Sequence, residues 1–401
     1  MPRHVVLGVA GGIAAYKAAE LLRRLTEAGH SVRVIPTEGA LRFVGAPTWE
    51  ALSGQPVTTD VFTGADEVPH VRIGRQADLA IVAPATADLL ARAATGRADD
   101  LLTATLLTVR GPVLFAPAMH TEMWEHPATQ ANVATLRSRG AVVLEPAVGR
   151  LTGPDTGKGR LPDPAGIAAI AQRLLARGVP APDLAGRHVV VTAGGTREHL
   201  DPVRYLGNNS SGKQGYAFAR TALARGARVT LIAANVALPD PAGADVVRVG
   251  STEQLHDAVL AHLPGADAVV MAAAPADFRP VRYSDSKIKK TKDGPDPIAL
   301  VTTPDVAAAV GGSKTDEQVL VIFAAETDDV VANARHKLER KKADFVVAND
   351  VAAGQVFGAD DNAATVIAAD GSVTEIARAA KEELADTVWD LVVRRWPGRS
   401  G

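Results

Sequence analysis

The chain has 401 residues and a mass of 41.6 kDa, more than the roughly 250 to 300 residues at which single hydrophobic cores stop growing, so we expect two domains. Its 47% hydrophobic and 22% charged residues exclude wholesale disorder, and a net charge of −2 gives no general attraction to nucleic acid or an anionic membrane. The absence of cysteine excludes disulfides, thiolate metal sites and cysteine-based catalysis. No apolar run approaches the ~18 residues that span a bilayer, and the N-terminus lacks the layout of a signal peptide, so we expect a cytoplasmic protein.

The first half begins with a strand, a glycine turn and a helix. A β-branched run covers His4–Val9, Gly11 and Gly12 interrupt it, and a helical stretch extends from Ile13 to Glu27. A second β-branched run at Val32–Ile35 completes a β-α-β unit. Further buried strands are predicted at Asp78–Ala83, Val113–Ala116 and Ala141–Leu144.

The same order of elements recurs in the second half. A strand is predicted at His188–Thr192, a glycine break at Gly194 and Gly195, a helix at Gln214–Arg225 and a strand at Val229–Ile232. Later buried strands are predicted at Ala268–Met271, Val319–Phe323 and Phe345–Ala348. Alternating strands and helices predict an α/β protein with two Rossmann-like, doubly wound parallel sheets.

A linker separates the two halves. The segment Arg177–Asp183 carries one glycine and two prolines immediately before the second half begins. We therefore place the domains at residues 1–183 and 184–401.

The glycine turn of the first half is a candidate phosphate site. Open parallel sheets bind ligands beyond the carboxyl ends of their strands, and Gly11 and Gly12 lie there, at a helix start whose backbone N–H groups and dipole favour an anion. Their spacing is not that of a dinucleotide fingerprint, and the same glycines could instead let strand and helix pack closely. Thr37, after the second strand, could add a hydroxyl to the phosphate or cap a helix.

Three further loops fall at the same edge and carry a family resemblance. They are Ala83–Leu89, Gly96–Thr103 and Ala116–Trp124. Together with the start GGIAAYK, these segments resemble the flavin-containing cysteine decarboxylases, specifically the decarboxylase half of the bifunctional coenzyme A biosynthesis family. In that family phosphopantothenoylcysteine decarboxylase is fused to phosphopantothenate–cysteine ligase. The resemblance covers most of residues 5 to 162 and implies a flavodoxin-like flavoprotein domain.

The resemblance implies FMN as cofactor and a catalytic histidine at His70. The FMN phosphate would be bound by Gly11, Gly12 and Thr37, and the flavin ring would lie near Ala85, Thr86 and Met119. An imidazole suits proton handling near the substrate thiol at neutral pH. The flavin would accept a hydride from the β-carbon, CO₂ would leave, and the electrons would return to the enethiol.

Two positions depart from the family pattern. His120 stands where the family has an asparagine that holds the substrate carboxylate, a role that imidazole can also perform by donating a hydrogen bond. Gly153 stands near the place of the flap cysteine that protonates the enethiolate. The Gly-x-Gly-Arg of the flap persists at Gly157–Arg160. The last proton would have to come from Asp155, Thr152, His120 or solvent.

The second half contains three polar segments after predicted strands. Ser210–Lys213 offers hydroxyls, N–H groups and an ammonium to phosphate, or simply caps the next helix. Asp277, in Ala272–Pro280, is a candidate contact to a nucleotide or its metal. Lys287–Lys292 concentrates positive charge, which suits a solvated loop, a weak nucleic-acid patch or a triphosphate. The near-neutral total and 4% aromatic residues favour the triphosphate over nucleic acid.

These segments resemble the ligase half of the same family. Its motifs match Asp201–Gly212, Ala272–Asp277 and Lys287–Lys290. The resemblance implies Mg²⁺ on the phosphates, with Asp277 as the metal contact, a role for Asn208 in the acyl-cytidylate step, and Arg204 as a phosphopantothenate contact. It implies CTP bound through Ala273, Asp277, Lys287, Pro304, Asp305, Val306, Ala307, Phe323, Lys337 and Lys341. Lys287, His70, His120 and Asn208 are the implied catalytic residues.

The leading interpretation is a bifunctional enzyme that ligates 4′-phosphopantothenate to cysteine with CTP and then decarboxylates the product to 4′-phosphopantetheine with FMN. One alternative is an active ligase beside a flavin-binding half that does not complete turnover, because the flap lacks cysteine. Another is a flavin-binding regulatory subunit, for which an acidic C-terminal tail is expected; Arg394–Gly401 is not acidic. We expect small-molecule substrates, no nucleic-acid or membrane partner, and a homo-oligomer. By analogy with the family, trimers of the first half and dimers of the second would build a dodecamer.

Overall fold

A computed structural model describes most of the chain as two compact units. The described residues are 2–59, 68–151, 155–178, 182–289, 297–326, 330–350 and 361–396. The first unit comprises Met1–Gly186, Leu223–Arg228 and Asp240–Ala244, and the second comprises Arg187–Ala222, Val229–Pro239 and Asp245–Gly401. The boundary that we place at residue 183 stays a prediction. Thr152, Gly153, Lys290, Lys292 and the tail beyond residue 396 lie outside the described residues.

The first unit is built on a five-stranded parallel sheet with the strand order β2-β1-β3-β4-β5. Its strands are β1 His4–Val9, β2 Ser31–Pro36, β3 Leu79–Ala85, β4 Val113–Pro117 and β5 Val142–Val143, and an antiparallel hairpin adds β6 Ala147–Arg150 and β7 Thr156–Arg160. Its helices are α1 Ala15–Glu27, α2 Glu38–Leu41, α3 Ala46–Ser53, α4 Pro69–Gln76, α5 Ala87–Thr95, α6 Leu101–Leu106, α7 Thr121–Glu125, α8 Pro127–Ser138 and α9 Pro164–Arg177.

The strands of this sheet carry apolar side chains on both faces, and packed helices bury them. All seven residues of β3 are buried, and α1 buries Leu21, Leu22 and Leu25. This is the near-continuous hydrophobic pattern of a parallel sheet covered by helices on both faces. The strands predicted from the sequence are confirmed to within a few residues of their observed ends.

The second unit contains an eight-stranded sheet with the order β12-β11-β8-β13-β16-β17-β18-β19. Its strands are β8 His188–Gly194, β11 Arg228–Ala234, β12 Ala244–Val249, β13 Ala268–Met271, β16 Val319–Glu326, β17 Phe345–Asp350, β18 Asp361–Ala368 and β19 Val373–Ala380. Short antiparallel pairs are β9 Arg197–His199 with β10 Tyr205–Gly207, and β14 Phe278–Pro280 with β15 Leu300–Thr302. The helices are α10 Lys213–Ala224, α11 Thr252–His262, α12 Val306–Ser313, α13 Val330–Arg340 and α14 Lys381–Arg395.

The α/β class with parallel sheets is confirmed, and one edge of the second sheet differs from the expectation. The pairs β8–β13, β13–β16 and β16–β17 are parallel, whereas β17–β18 and β18–β19 are antiparallel. The first six strands nevertheless follow the order of a Rossmann sheet, with the order reversing between β8 and β13. None of the described helices is both long and apolar enough to cross a membrane.

Candidate functional site

The first unit contains a cleft of about 1230 Å³ at the carboxyl edge of its sheet. We call it the first-unit cleft; its walls come from the loops that follow β1, β2, β3 and β4 and from the β6–β7 hairpin. The strand order reverses between β1 and β3, which is where sheets of this flavodoxin-like order bind ligands. Six of the predicted residues line it: Gly11, Gly12, Thr37, Thr86, Met119 and His120.

The glycine turn is shaped by a close approach of two loops. A Cβ atom on Gly11 would lie 2.8 Å from the carbonyl carbon and 2.9 Å from the Cα of Gly39. A Cβ on Gly12 would meet only the Thr86 methyl group, at 3.5 Å. Gly11 therefore permits close packing of the two loops, whereas Gly12 borders the cleft, and the phosphate site at this turn stays a prediction.

The start of α1 has no side-chain cap. Its N-cap residue, Ala14, makes no side-chain capping bond, while the N–H groups of Ala15 and Lys17 donate to the carbonyls of Gly12 and Ala14 at 2.9 and 3.0 Å. Thr37 caps α2, its Oγ1 accepting from the N–H of Ala40 at 3.2 Å. The hydroxyl of Thr37 still lines the cleft and can donate its own proton to a ligand.

The hairpin closes one side of the cleft. The N–H of Met119 donates to the carbonyl of Gly159 at 2.9 Å, and no Cβ on Gly159 would fit against the Met119 carbonyl. His120 follows as the N-cap of α7, exposed and without a side-chain capping bond. Its imidazole is thus free to meet a ligand in the cleft.

A buried carboxylate anchors this hairpin. Glu145 accepts from Arg137 at 2.9 Å and pairs with Lys158 of β7 at 2.9 Å. Burial alone would raise the pKa of Glu145, but Arg137 and Lys158 outweigh it and hold this pKa below its usual range. The ion pairs tie β7 to the body of the first unit.

A second charged cluster lines the cleft around Arg92. Its guanidinium contacts Asp88 at 3.1 Å, Asp99 at 2.9 Å and Asp100 at 2.8 Å. Burial would lower the pKa of Arg92, yet the hydrogen bonds to Asp100 and Asp99 raise it well above its usual value. These carboxylates are committed to Arg92, and Asp100 also caps α6.

His70 and Ala85 are not among the residues that line the cleft of their own chain. His70 lies on α4, where its carbonyl accepts from the Thr108 hydroxyl at 2.7 Å. Its Nδ1 is buried and has no hydrogen-bond partner in the described part of the chain. Ala85 is buried in β3, its carbonyl accepting from the N–H of Ala118 at 3.1 Å.

In the second unit one buried carboxylate joins two predicted ligase segments. Asp201 accepts from the N–H groups of Val203 at 2.8 Å, Arg204 at 2.9 Å and Ile288 at 3.1 Å. Arg204 also donates to the Ile288 carbonyl at 2.5 Å. Arg204 and the Lys287 segment are therefore brought together, with Lys287 itself exposed. Burial would raise the pKa of Asp201, but the three N–H donors and Arg204 hold it below its usual range.

Further contacts gather predicted residues where the strand order reverses. The Asn208 side chain donates to the Pro275 carbonyl at 2.7 Å, and the N–H of Ala273 donates to Thr192 Oγ1 at 3.0 Å. The N–H of Thr303 donates to the Asp277 carbonyl at 3.0 Å. Asn208, Ala273 and Asp277 thus share one edge with the segment Pro304–Ala307.

That segment opens α12 and meets a lysine. Asp305 caps α12 and pairs with Lys341 at 3.2 Å. Burial would raise the pKa of Asp305, but the Ala308 N–H, Lys341 and Arg340 hold it below its usual range. The N–H of Lys341 donates to the Lys337 carbonyl at 3.0 Å, so the helical hydrogen-bond pattern continues one residue past the end of α13. Val306 is buried and Ala307 half-buried.

Phe323 packs edge-on against Phe218, with ring centroids 5.7 Å apart. It is half-buried, and its aromatic partner Phe218 is not one of the predicted CTP residues. Across the residues that the structure describes, no group of three or more His, Asp or Glu side chains could hold a metal ion. Asp277 therefore belongs to no such group in the described part of the chain.

Several site residues were not predicted individually. Lys17, Arg150 and Arg160 line the first-unit cleft, and Asp201 organises the second site. Lys17 belongs to a predicted helix, and a charged residue in a helix is usually expected to face solvent. Asp201 could have been noted from the sequence because it is the first residue of the motif Asp201–Gly212. No sequence pattern, however, indicates that it contacts Ile288.

Comparisons with known proteins agree with this arrangement in both halves. A family model described as flavoprotein matches residues 1–175, and one described as the DNA/pantothenate metabolism flavoprotein C-terminal domain matches residues 184–395. The coenzyme A biosynthesis bifunctional protein CoaBC of Mycobacterium tuberculosis is 59% identical over 404 aligned residues, which cover 98% of this chain and 97% of that protein. CoaBC of Bacillus subtilis is 46% identical, covering 93% of this chain and 92% of the relative.

Two solved structures resemble the separate halves. The C-terminal domain of a CoaBC protein matches with a TM-score of 0.46 and 36% identity, covering 53% of this chain and 97% of that one. A mutant PPC decarboxylase complexed with pantothenoylaminoethenethiol matches with a TM-score of 0.41 and 29% identity, covering 43% and 97%.

The class of protein follows from the two units and their family models: a flavoprotein domain joined in one chain to a second α/β domain. Identity over nearly the whole length then fixes the family. The chain belongs to the bifunctional coenzyme A biosynthesis proteins, and it is an enzyme.

Proposed function

We propose that the chain joins 4′-phosphopantothenate to cysteine at the expense of CTP and then decarboxylates the product to 4′-phosphopantetheine. The observation that carries this proposal is the 59% identity to a bifunctional relative across 98% of the chain, which includes both halves. The alternative of a flavin-binding half without turnover is not favoured by these comparisons.

For the ligase, the proposal assigns activation of a carboxylate followed by amide formation. The substrate carboxylate attacks the α-phosphate of CTP, pyrophosphate leaves, and the cysteine amine then displaces CMP from the acyl-cytidylate. Lys287 would stabilise charge on the departing pyrophosphate, and Arg204, held beside it by Asp201, would contact phosphopantothenate. Asn208 would position the acyl-cytidylate, with its side chain fixed by the Pro275 carbonyl.

The nucleotide would occupy the edge where the strand order of the second sheet reverses. The contacts of Ala273, Asp277 and Asp305 described above gather there, and Lys341 is held close by its ion pair with Asp305. Lys337, Val306, Ala307, Pro304 and Phe323 complete the proposed CTP-binding set. Mg²⁺ would be held chiefly by the phosphates with Asp277 as one protein ligand, because this ion keeps waters and needs few carboxylates when it binds a nucleotide.

For the decarboxylase, the residues of the first-unit cleft fit FMN. The uncapped start of α1, the open face of Gly12 and the Thr37 hydroxyl offer donors to its phosphate, while Thr86 and Met119 border the space for the ring. FMN would supply reversible two-electron chemistry at the substrate.

Two histidines are proposed to act on the substrate. The His120 imidazole, exposed in the cleft and free of a capping bond, would donate a hydrogen bond to the substrate carboxylate and orient it. His70 does not line the cleft of its own chain, and its Nδ1 lacks a partner. The proposed homo-oligomer would allow a second copy of the chain to present His70 to this cleft.

The test separates the two activities by substitution. We expect Lys287→Gln to reduce pyrophosphate release from CTP by about 100-fold while leaving CO₂ release from added 4′-phosphopantothenoylcysteine unchanged. His120→Ala should reduce CO₂ release and spare pyrophosphate release. Arg335→Gln, which removes an exposed cation from α13, is the control and should change neither. A parallel loss of both activities in either variant would contradict the assignment.

A further inference from the structure

Two cations that the proposed flavin site does not use line the first-unit cleft. Lys17 is half-buried in the first turn of α1, and Arg160 is the last residue of β7. Both line the cleft, and Arg150 lines it from the opposite strand of the hairpin. This cationic pair, Lys17 with Arg160, lies on the hairpin side of the cleft.

The position of Arg160 is fixed by the hairpin. A Cβ on Gly149 would lie 3.4 Å from Arg160 Nη1 and 3.6 Å from Arg160 Cδ, so the arginine side chain extends over this glycine. The preceding residue, Gly159, bonds the Met119 N–H at 2.9 Å. The guanidinium is therefore carried by a strand that is anchored beside Met119.

The two cations are close enough to oppose each other's charge. Burial lowers the pKa of Lys17 first, and the charge of Arg160 lowers it further, against the raising effect of Asp163 and Glu20. In the described part of the chain neither Lys17 nor Arg160 forms an ion pair within 4.0 Å. Two neighbouring cations without a bonded carboxylate favour an anion between them.

Three carboxylates of the cleft are committed to another partner, because Asp88, Asp99 and Asp100 are bonded to Arg92. Asp163 and Glu20 act on Lys17 without an ion pair within 4.0 Å in the described part of the chain. The pair can therefore accept an anionic ligand, and two cations suit a dianion better than a single carboxylate.

We propose that Lys17 and Arg160 bind the phosphate monoester of the acyl-cysteine substrate and so make the decarboxylase selective for phosphorylated substrates. The inference rests on the proposed decarboxylation. An arginine fork and an ammonium are the usual partners of a phosphate monoester. FMN carries the same chemical group, but its phosphate already has the proposed donors at Gly12, Thr37 and the start of α1.

The experiment measures equilibrium binding to the FMN-loaded full chain by titration calorimetry. The probes are 4′-phosphopantetheine and pantetheine, which differ only in the phosphate. We expect the wild type to prefer the phosphorylated probe by about ten- to a hundredfold. Lys17→Gln and Arg160→Gln should each remove most of that preference, and Arg160→Lys should restore part of it. Any binding of the probes to the second unit is the same in the wild type and in all these variants. The role of the pair is therefore judged from the difference in preference between the proteins.

Arg23→Gln is the matched control. Arg23 lies on the same helix, paired with Glu27 at 2.7 Å and largely exposed outside the cleft, and its loss should leave the preference unchanged. The FMN dissociation constant of every variant is measured in parallel and should stay the same.

Three results would overturn the proposal. The wild type could show no preference for the phosphorylated probe, or the preference could persist in both glutamine variants. The third result is that the glutamine variants bind FMN more weakly while keeping the preference. The last would assign the pair to the flavin phosphate. Failure of the wild type to release CO₂ would refute the proposed decarboxylation, whereas the binding ratio would still decide the role of Lys17 and Arg160.

Discussion

At the scale of single residues, one buried carboxylate holds together two segments of the proposed ligase site. Asp201 accepts three backbone N–H groups from two segments that are more than eighty residues apart. Because its folded-state pKa lies below the unfolded value of about 3.9, its stabilising effect is complete above that pH and is lost as the pH falls through the folded-state pKa.

We predict that Asp201→Asn destabilises the second unit and impairs ligation. An amide can accept from Val203 and Arg204, but its NH₂ group would face the Ile288 N–H, and the pairing with Arg204 would be lost. At pH 7 the variant should unfold at lower urea than the wild type, and ligase kcat/KM should fall by about tenfold or more. The difference in unfolding should narrow below pH 4, where the wild-type carboxyl also protonates.

The exposed Asp285 in the same segment supplies the control. Asp285→Asn should leave the urea midpoint and the ligase rate as they are. A difference between Asp201→Asn and the wild type that is constant from pH 7 to pH 3 would show that the charge of Asp201 does not hold the two segments.

Sequence reasoning identified six residues that line the first-unit cleft and did not foresee that Lys17 and Arg160 line it together. Gly11, Thr37 and His120 follow strands in an order that a parallel sheet brings to one edge, so their meeting was predictable. Whether Lys17 faces solvent or the cleft depends on where the β6–β7 hairpin folds, and the position of His70 depends on α4, which was not predicted. Such contacts are set by tertiary packing rather than by local pattern.

At the scale of elements, the flavin site depends on how closely the β1–α1 turn approaches α2. The backbone of Gly39 lies where a Gly11 side chain would have to be, and backbone atoms cannot move aside as a flexible side chain can. Gly12 has ordinary space in front of its Cα. Neighbouring glycines in one turn therefore serve different purposes.

We predict that Gly11→Ala separates α2 from the turn and costs about 1 to 3 kcal/mol of stability in the first unit. The FMN content of the purified protein should fall with it, because Thr37 caps α2 and would move away. Gly12→Ala should keep the unfolding temperature of the wild type, measured by calorimetry without added FMN. Equal unfolding temperatures for the Gly11→Ala protein and the wild type would contradict the account.

Strands were easier to predict than their neighbours in the sheet. Buried parallel strands such as β3 and β13 are continuous apolar runs, which the sequence displays directly. In contrast, β18 mixes buried and more exposed residues, and β19 at the sheet edge has only half-buried and exposed ones. Their antiparallel pairing extends a sheet that the alternating strand-helix pattern predicted to be parallel. The helix α4 contains a mixture of polar and apolar residues over only eight positions, too short for a clear period.

At the scale of the whole molecule, the chain carries two α/β units whose sheets have different strand orders. The first has the order β2-β1-β3-β4-β5, and the second begins its own sheet at β8. In each, predicted ligand-binding residues follow the strands at which the order reverses. The fusion is chemically coherent, because the proposed product of the second unit is the proposed substrate of the first.

The most direct test of the account is one assay of catalytic turnover with purified protein, 4′-phosphopantothenate, cysteine, CTP, Mg²⁺ and FMN. Pyrophosphate, CO₂ and the mass of the thiol product are followed together. The account predicts release of both pyrophosphate and CO₂, with 4′-phosphopantetheine as the product. Pyrophosphate without CO₂, and accumulation of 4′-phosphopantothenoylcysteine, would contradict the proposed decarboxylase in the first unit, and release of neither would contradict the bifunctional assignment.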